Sequence, residues 1–234
     1  MSASPVCVVV GVGPGNGASF ARRFATAGYR VALLARRGEH TDPLAAELPG
    51  ARAYRCDVTD ATSIGAAFDG IERDLGTPEV VIYNAGNARW GGFDEISAAD
   101  LELGVRTNAT GLLLVAQRAA PAMKRAGHGA LIVIGATASR RGGAKSAAFA
   151  PAKAAQKSLT ESLARALWPT GVHVALIIVD GVIDLAATRA RMPDKPDAFF
   201  LQPDDIAATA LHLATQPRSA WSFEVEARPF GETW

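Results

Sequence analysis

The chain of 234 residues holds two cysteines, three methionines and three tyrosines, aromatic residues make up 7% of it, and its formal net charge is only +1. Two cysteines cannot build a disulfide scaffold or a cysteine-rich metal centre. Cys7 and Cys56 both fall in apolar, strand-like runs, the pattern of buried, reduced thiols in a cytoplasmic protein. With 20% charged residues of balanced sign, the chain has no basic stripe for nucleic acid and no acidic tail. No apolar run approaches the ~20 residues that cross a membrane. Residues 1–5 carry no basic cluster and lead into a short apolar run, which argues against a secretory signal. His40, His128, His173 and His212 are scattered without metal-ligand spacing, so no metal is expected. His173 lies in a strand-like run and reads as a packed residue.

What is present is an alternation of apolar runs and helical patterns. Strands are expected at residues 6–10, 29–35, 51–56, 80–83, 130–134, 172–179 and 221–226. Between them lie helical patterns at residues 18–27, 41–49, 60–75, 97–124, 147–168 and 204–215, the fourth interrupted near Gly104. In residues 60–75, Ile64, Ala67, Phe68, Ile71 and Leu75 recur at helical spacing. Residues 184–202 read as irregular. Such alternation implies βαβ units. The expected fold is α/β: a single-domain Rossmann fold over residues 1–234, with a doubly wound parallel sheet of about seven strands and helices on both faces. No repeat, low-complexity segment or linker divides it. Ligands of such sheets sit beyond the carboxyl ends of the strands. That edge gathers the 11–17 loop, Arg36, Asp57, Asn84, Gly135 and Asp180.

The first strand turns into the first helix through Gly11-Val12-Gly13-Pro14-Gly15-Asn16-Gly17. Glycines let backbone N–H groups approach a phosphate, and the helix that follows aims its positive dipole end at the same place. One such loop alone is also compatible with a plain tight turn. The second strand ends Leu34-Ala35-Arg36-Arg37. A carboxylate there would hold the 2′-hydroxyl of NAD, and none is available. Two guanidiniums can grip a 2′-phosphate instead, so NADP is the expected cofactor, with a solvated basic turn as the alternative.

These residues resemble the short-chain dehydrogenase/reductase family. Gly11-x-x-x-Gly15-x-Gly17 matches its glycine pattern, with Val10 for the usual Thr and Asn16 for the usual Ile. Asp57-Val58 matches its adenine-contacting Asp-Val. Asn84-Ala85-Gly86 matches its Asn-Ala-Gly, Asn108 its helix asparagine, and Lys153 the lysine of its Tyr-x-x-x-Lys motif. The resemblance runs from Val6 to about Phe230. It implies cofactor contacts from the glycine loop, Arg36, Arg37, Asp57, Val58, residues 84–86, Lys153, and Gly181, Val182 and Ile183 after the sixth strand. It also implies a homodimer or homotetramer built through the long helices, with the aromatic tail 221–234 joining an interface.

Against this pattern, the family tyrosine falls on Phe149, the family serine on Ala136, and the usual Pro-Gly reads Asp180-Gly181. Phenylalanine and alanine cannot act as general acids. The serine at position 146 also misses the enoyl-reductase pattern. What the resemblance leaves for catalysis is Lys153 and Asn108, linked through a water. Thr137 and Ser139 lie near the lost serine and are either hydroxyl donors or plain loop residues. Asp180 is either a desolvated acid or a turn-forming Asp. Arg140, Arg141 and Lys145 form a basic loop that either meets an anionic substrate or is solvated. Trp90, Phe199, Phe200 and Leu201 either line a pocket or pack. Two functions stand: an NADP-dependent oxidoreductase with a non-standard proton relay, acting on a carbonyl, alcohol or polarised double bond, and a non-catalytic NADP-binding sensor or partner subunit.

Overall fold

The computed structural model describes residues 4–232. Residues 1–3, part of the N-terminal stretch read above, and residues 233–234, the end of the aromatic tail, lie outside the described residues. Seven parallel strands form one sheet in the order β3 (Arg52–Arg55), β2 (Arg30–Ala35), β1 (Val6–Val10), β4 (Pro78–Tyr83), β5 (Gly129–Ala136), β6 (Val172–Val179) and β9 (Glu224–Ala227). Strand β1 shows why the central strands are continuous apolar runs. Successive side chains point to opposite faces, so Val6, Val8 and Val10 enter one core layer while Cys7 and Val9 enter the other. Both faces are covered, and all five residues are buried. Both cysteines are free and buried.

Helices α3 (Ala61–Asp74), α5 (Gly111–Ala126) and α6 (Phe149–Leu167) pack on one face, through Ile64, Phe68, Leu112 and Ala164 among others. Helices α1 (Asn16–Thr26), α2 (Thr41–Glu47) and α8 (Pro203–Ala214) cover the other, through Phe20, Phe24, Leu44 and Ile206. The order reverses between β1 and β4. The connections from these neighbours leave in opposite directions and open a crevice at their carboxyl ends.

Two elements are sharper than the sequence expectation. The long helix is interrupted just after Gly104, by a widened turn rather than a break. Helix α4 (Ala98–Val105) begins at a Ser97–Asp100 capping box, runs into a π-helical turn at Arg106–Thr110, and continues as α5. The widened turn sits where the Tyr83 hydroxyl donates to the Thr107 carbonyl at 2.5 Å. Gly111 leaves room for that ring, because a Cβ there would lie 2.5 Å from the Tyr83 oxygen.

Residues 184–202 are ordered rather than irregular. Strands β7 (Val182–Ile183) and β8 (Phe200–Leu201) pair in parallel around helix α7 (Ala186–Arg191). Arg189 ties the segment together. It grips Asp184 at 2.7 and 2.8 Å, reaches Asp197 at 2.6 Å, and lies 4.1 Å over the Phe200 ring. Phe200 is buried beneath Arg189, and Leu201 joins the core layer that includes Ile206.

Candidate functional site

The glycine loop is shaped by close backbone approach. Gly11 has φ +91°, and a Cβ on it would lie 2.5 Å from the Ala85 nitrogen. The N–H groups of Gly11 and Val12 both donate to the Leu34 carbonyl at 2.9 Å, which fixes the loop against β2. Helix α1 then starts with no side-chain cap, and while the Ala18 amide donates to the Gly13 carbonyl at 3.1 Å, those of Asn16 and Gly17 remain available to a ligand. The Asn84 amide donates to the Gly11 carbonyl at 2.7 Å and joins β4 to the loop.

This arrangement opens a cavity of about 370 Å³ at the β1/β4 crevice, lined by Gly11, Gly13, Arg36, Asp57, Val58 and Asn84 with their neighbours. Asp57 accepts from the Thr59 amide and hydroxyl at 2.9 and 2.8 Å. Those bonds hold its carboxyl below the usual range, with Arg36 adding to the effect. Arg36 faces the cavity, while Arg37 stands outside its lining and pairs with Glu39 at 3.5 Å. Pro14, Gly15 and Gly17 shape the loop without lining this cavity or the next one.

A second cavity of about 630 Å³ adjoins the first through Asn84, Gly86 and Asn87. It gathers Asn16, Lys153, Gly181, Val182 and Ile183. Phe149 and Lys153 are four apart on α6 and so share a face, and both line it. Lys153 is buried, and its ammonium donates to the Ile134 carbonyl and to Gln156 Oε1, each at 2.9 Å. Burial disfavours its charge and brings its pKa down to about 7.

Asn108 projects from the π-helical turn. Its Nδ2 donates to Gly104 and Asn87 carbonyls at 2.9 and 3.1 Å, and its fully buried Oδ1 has no partner. A Cβ on Gly86 would lie 3.2 Å from that oxygen and 3.9 Å from Lys153 Nζ. Asn108 and Lys153 therefore face one small polar space at the junction of the cavities. An unpaired buried acceptor there fits a bridging water. Asn16 Oδ1, at the start of α1, is likewise buried and unpartnered.

The other candidates are tied down. The Ser139 hydroxyl donates to the Ala136 carbonyl at 2.7 Å, and that of Thr137 donates to Asp180. Ser146 bonds within its own turn, to Gly143. Asp180 matches neither of its two readings: it is buried in an ion pair with Arg228 and accepts from Thr137. Arg140 pairs with Glu224 and Glu226 on β9, while Arg141 and Lys145 stay exposed. His173 is packed: it stacks on Trp221 at 4.7 Å and bonds two backbone carbonyls. Trp90 does wall the second cavity, in ring contact with Phe149 at 4.9 Å. Phe199, Phe200 and Leu201 are not part of that lining. No group of three or more metal-ligating side chains occurs among the described residues, and no described helix is long and apolar enough to cross a membrane.

A family model for the short chain dehydrogenases matches residues 5–195. The chain belongs to the short-chain dehydrogenase family. A D-threitol dehydrogenase of Mycolicibacterium smegmatis is 30% identical over 222 residues, covering 90% of this chain and 85% of the relative. Among solved structures, a short-chain dehydrogenase from Rhodopseudomonas palustris matches with a TM-score of 0.83 at 30% identity, over 97% of this chain and 99% of that one. A metagenomic short-chain oxidoreductase in complex with NADP matches with the same TM-score at 28% identity, over 98% and 99%. This short-chain dehydrogenase is thus an oxidoreductase of a family that binds nicotinamide cofactors and acts on small molecules.

Three residues at the site escape a reading of the sequence. Gln156 is fully buried and accepts from Lys153. A buried glutamine one helical turn after a buried lysine is the available signal. Tyr83 supports the turn that carries Asn108, and only the tertiary contact reveals it. Leu185 lies over the glycine loop, with Cδ2 at 2.4 Å from where a Gly15 Cβ would stand. No local pattern marks it.

Proposed function

We propose that this short-chain dehydrogenase is an NADP-dependent oxidoreductase whose proton passes through Lys153, a water and Asn108. The observation that carries the reading is the space beside Gly86, which the unpaired Asn108 oxygen and Lys153 Nζ both border, at 3.2 and 3.9 Å from where a Gly86 Cβ would stand. NADP would lie along the two adjoining cavities. The amides of the glycine loop and α1 would face its phosphates, Asp57 and Val58 its adenine, and Arg36 its 2′-phosphate. Arg37 stands further off and would add long-range charge. Residues 181–183 and Lys153 would hold the nicotinamide end. When bound, the cofactor supplies or accepts a hydride.

The chain's own residues do the rest. Ile134 and Gln156 orient the Lys153 ammonium, and a pKa near 7 lets it give and regain a proton near neutrality. Asn108 holds the water that carries the proton onward. Phe149 and Ala136, where the family resemblance places tyrosine and serine, leave this relay as the route. General acid catalysis is typically worth ~10²–10⁴-fold, so a relay at one remove slows turnover without abolishing it.

The second reading is a non-catalytic NADP-binding protein. It is favoured by the engaged hydroxyls of Thr137 and Ser139. One experiment separates the two. Purified protein with NADPH and a panel of ketones, aldehydes, enones and quinones is followed by cofactor absorbance. Oxidation that Lys153→Ala abolishes supports the relay; NADPH binding without oxidation across the panel supports the sensor. We also propose a homodimer or homotetramer through α4–α5 and α6, which a monomer in light scattering at micromolar concentration would refute.

A further inference from the structure

The second cavity carries its own chemical signature, and the inference from it rests on the hydride transfer just proposed. Its lining is largely apolar, with the paired rings of Trp90 and Phe149 on one wall and Ala136, Ala138, Leu185 and Met192 elsewhere. Two hydroxyls line it among the described residues, and both are spent. Thr137 donates to Asp180, and Thr188 donates to backbone carbonyls of residues 183 and 185, at 2.6 and 2.9 Å. Lys153 is drawn back by Ile134 and Gln156. The remaining polar lining groups are asparagine amides, which do not give up protons, and Arg191. No carboxylate lines the cavity among the described residues, and its two ionisable groups are Lys153, whose proton goes out through the relay, and Arg191.

We propose that the hydride acceptor is a quinone, seated against the Trp90–Phe149 wall in a cavity that offers no hydroxyl acid and only basic ionisable groups. A simple ketone that takes a hydride on carbon leaves an alkoxide, whose conjugate acid is about as weak as water, with a pKa of ~16. That oxygen needs a proton as it forms, and the Lys153 relay supplies one only at one remove. A quinone makes no such demand. One hydride, with two electrons, leaves the C–H bond of the dihydronicotinamide and bonds to a quinone carbonyl oxygen. The ring becomes aromatic, and the far oxygen keeps the negative charge as a phenolate. A phenol has a pKa of ~10, so that anion is about a million-fold less basic than the alkoxide. It can take its proton afterwards from water or the Lys153 relay, giving hydroquinone and the oxidised cofactor. An iminium ion would also dispense with an acid, but it is a cation, and the lining offers it basic groups and no carboxylate. The neutral acceptor that becomes an anion suits this charge pattern.

The test pairs 1,4-naphthoquinone with 1-tetralone, which share a bicyclic frame. Calorimetry on the protein without cofactor is expected to show both binding, with Trp90→Ala weakening both several-fold. With NADPH, and after subtraction of the protein-free rate, kcat/KM for the quinone is expected to exceed that for the tetralone by at least 100-fold. The double variant Phe149→Tyr/Ala136→Ser, which supplies hydroxyls at the wall, should raise the tetralone rate at least tenfold more than the quinone rate. Ala136→Ser alone serves the same comparison if the double variant does not fold. Quinone binding indifferent to Trp90→Ala, or equal gains for both acceptors, overturns the assignment. Turnover of tetralone without preference for the quinone also overturns it while leaving the oxidoreductase reading intact. NADPH binding with neither acceptor reduced overturns both.

Discussion

Lys153→Met should change how stability depends on pH. In the folded chain burial lowers the lysine pKa from 10.5 to about 7. At ~1.4 kcal/mol per pH unit, carrying the buried charge costs at most about 5 kcal/mol. The sign follows from proton counting. Below pH 7 the lysine is charged in both folded and unfolded chains, and the whole penalty applies. Between pH 7 and 10.5 the unfolded chain binds the proton and the folded chain has released it, so wild-type stability from this residue rises with pH and then levels off. Methionine removes the titration. It also leaves the Ile134 carbonyl and Gln156 Oε1 without their donor, at a cost of ~1–3 kcal/mol for each buried group. The absolute stability of the variant is therefore a poor readout, and the difference in slope is a clean one. Urea unfolding of both proteins from pH 6 to pH 10 should show wild type gaining up to about 4 kcal/mol relative to the variant. Parallel curves would refute the depressed lysine.

Three further perturbations follow from the same geometry. Arg36→Ala should weaken NADPH binding by ~10–100-fold, the worth of a charged hydrogen bond, and leave NADH nearly unaffected, while Arg37→Ala does little to either; equal losses for both cofactors in calorimetry would contradict the 2′-phosphate assignment. Gln156→Glu should raise the Lys153 pKa by setting a carboxylate against the ammonium. The chemical shift of the lysine ε-carbon, titrated in the cofactor-free protein, should move its midpoint above pH 7, and an unmoved midpoint would refute the contact. Arg189→Ala should loosen residues 184–202 and speed their proteolysis. Arg189 holds the Asp184 carboxyl down at about 2, so the stability from this pair is present above the ordinary carboxylate pKa and is lost as pH falls through about 2; wild type should become protease-sensitive in that window, and a segment that resists pepsin equally in both proteins would contradict it.

The sheet was legible because its strands are apolar on both faces: residues 6–10 and 172–179 admit no other reading once glycine turns and helices separate them. The cofactor edge was legible because a doubly wound fold places the end of every strand at one edge, so Gly11, Arg36, Asp57 and Asn84 could be grouped without coordinates. What stayed hidden depends on side chains meeting across long sequence separations. Arg189 organises residues 184–202 through a carboxylate on each side of it and a ring, none of which sets a periodicity. Tyr83 bonds the widened turn at Arg106–Thr110 from a different element. Asp180 reads as a desolvated acid or a turn former because Arg228, its partner, lies 48 positions away. Arg36 and Arg37 are adjacent in sequence, and only the turn after β2 decides which one faces the cavity.

The proton route through Lys153 is tested most directly by the pH dependence of kcat/KM for NADPH-dependent reduction of a ketone, 1-tetralone, whose alkoxide needs its proton as it forms, in wild type and Lys153→Ala. Wild type should oxidise NADPH measurably, with a break near pH 7 that disappears, together with most of the rate, in the variant. An unchanged rate and an unchanged profile in Lys153→Ala would contradict it.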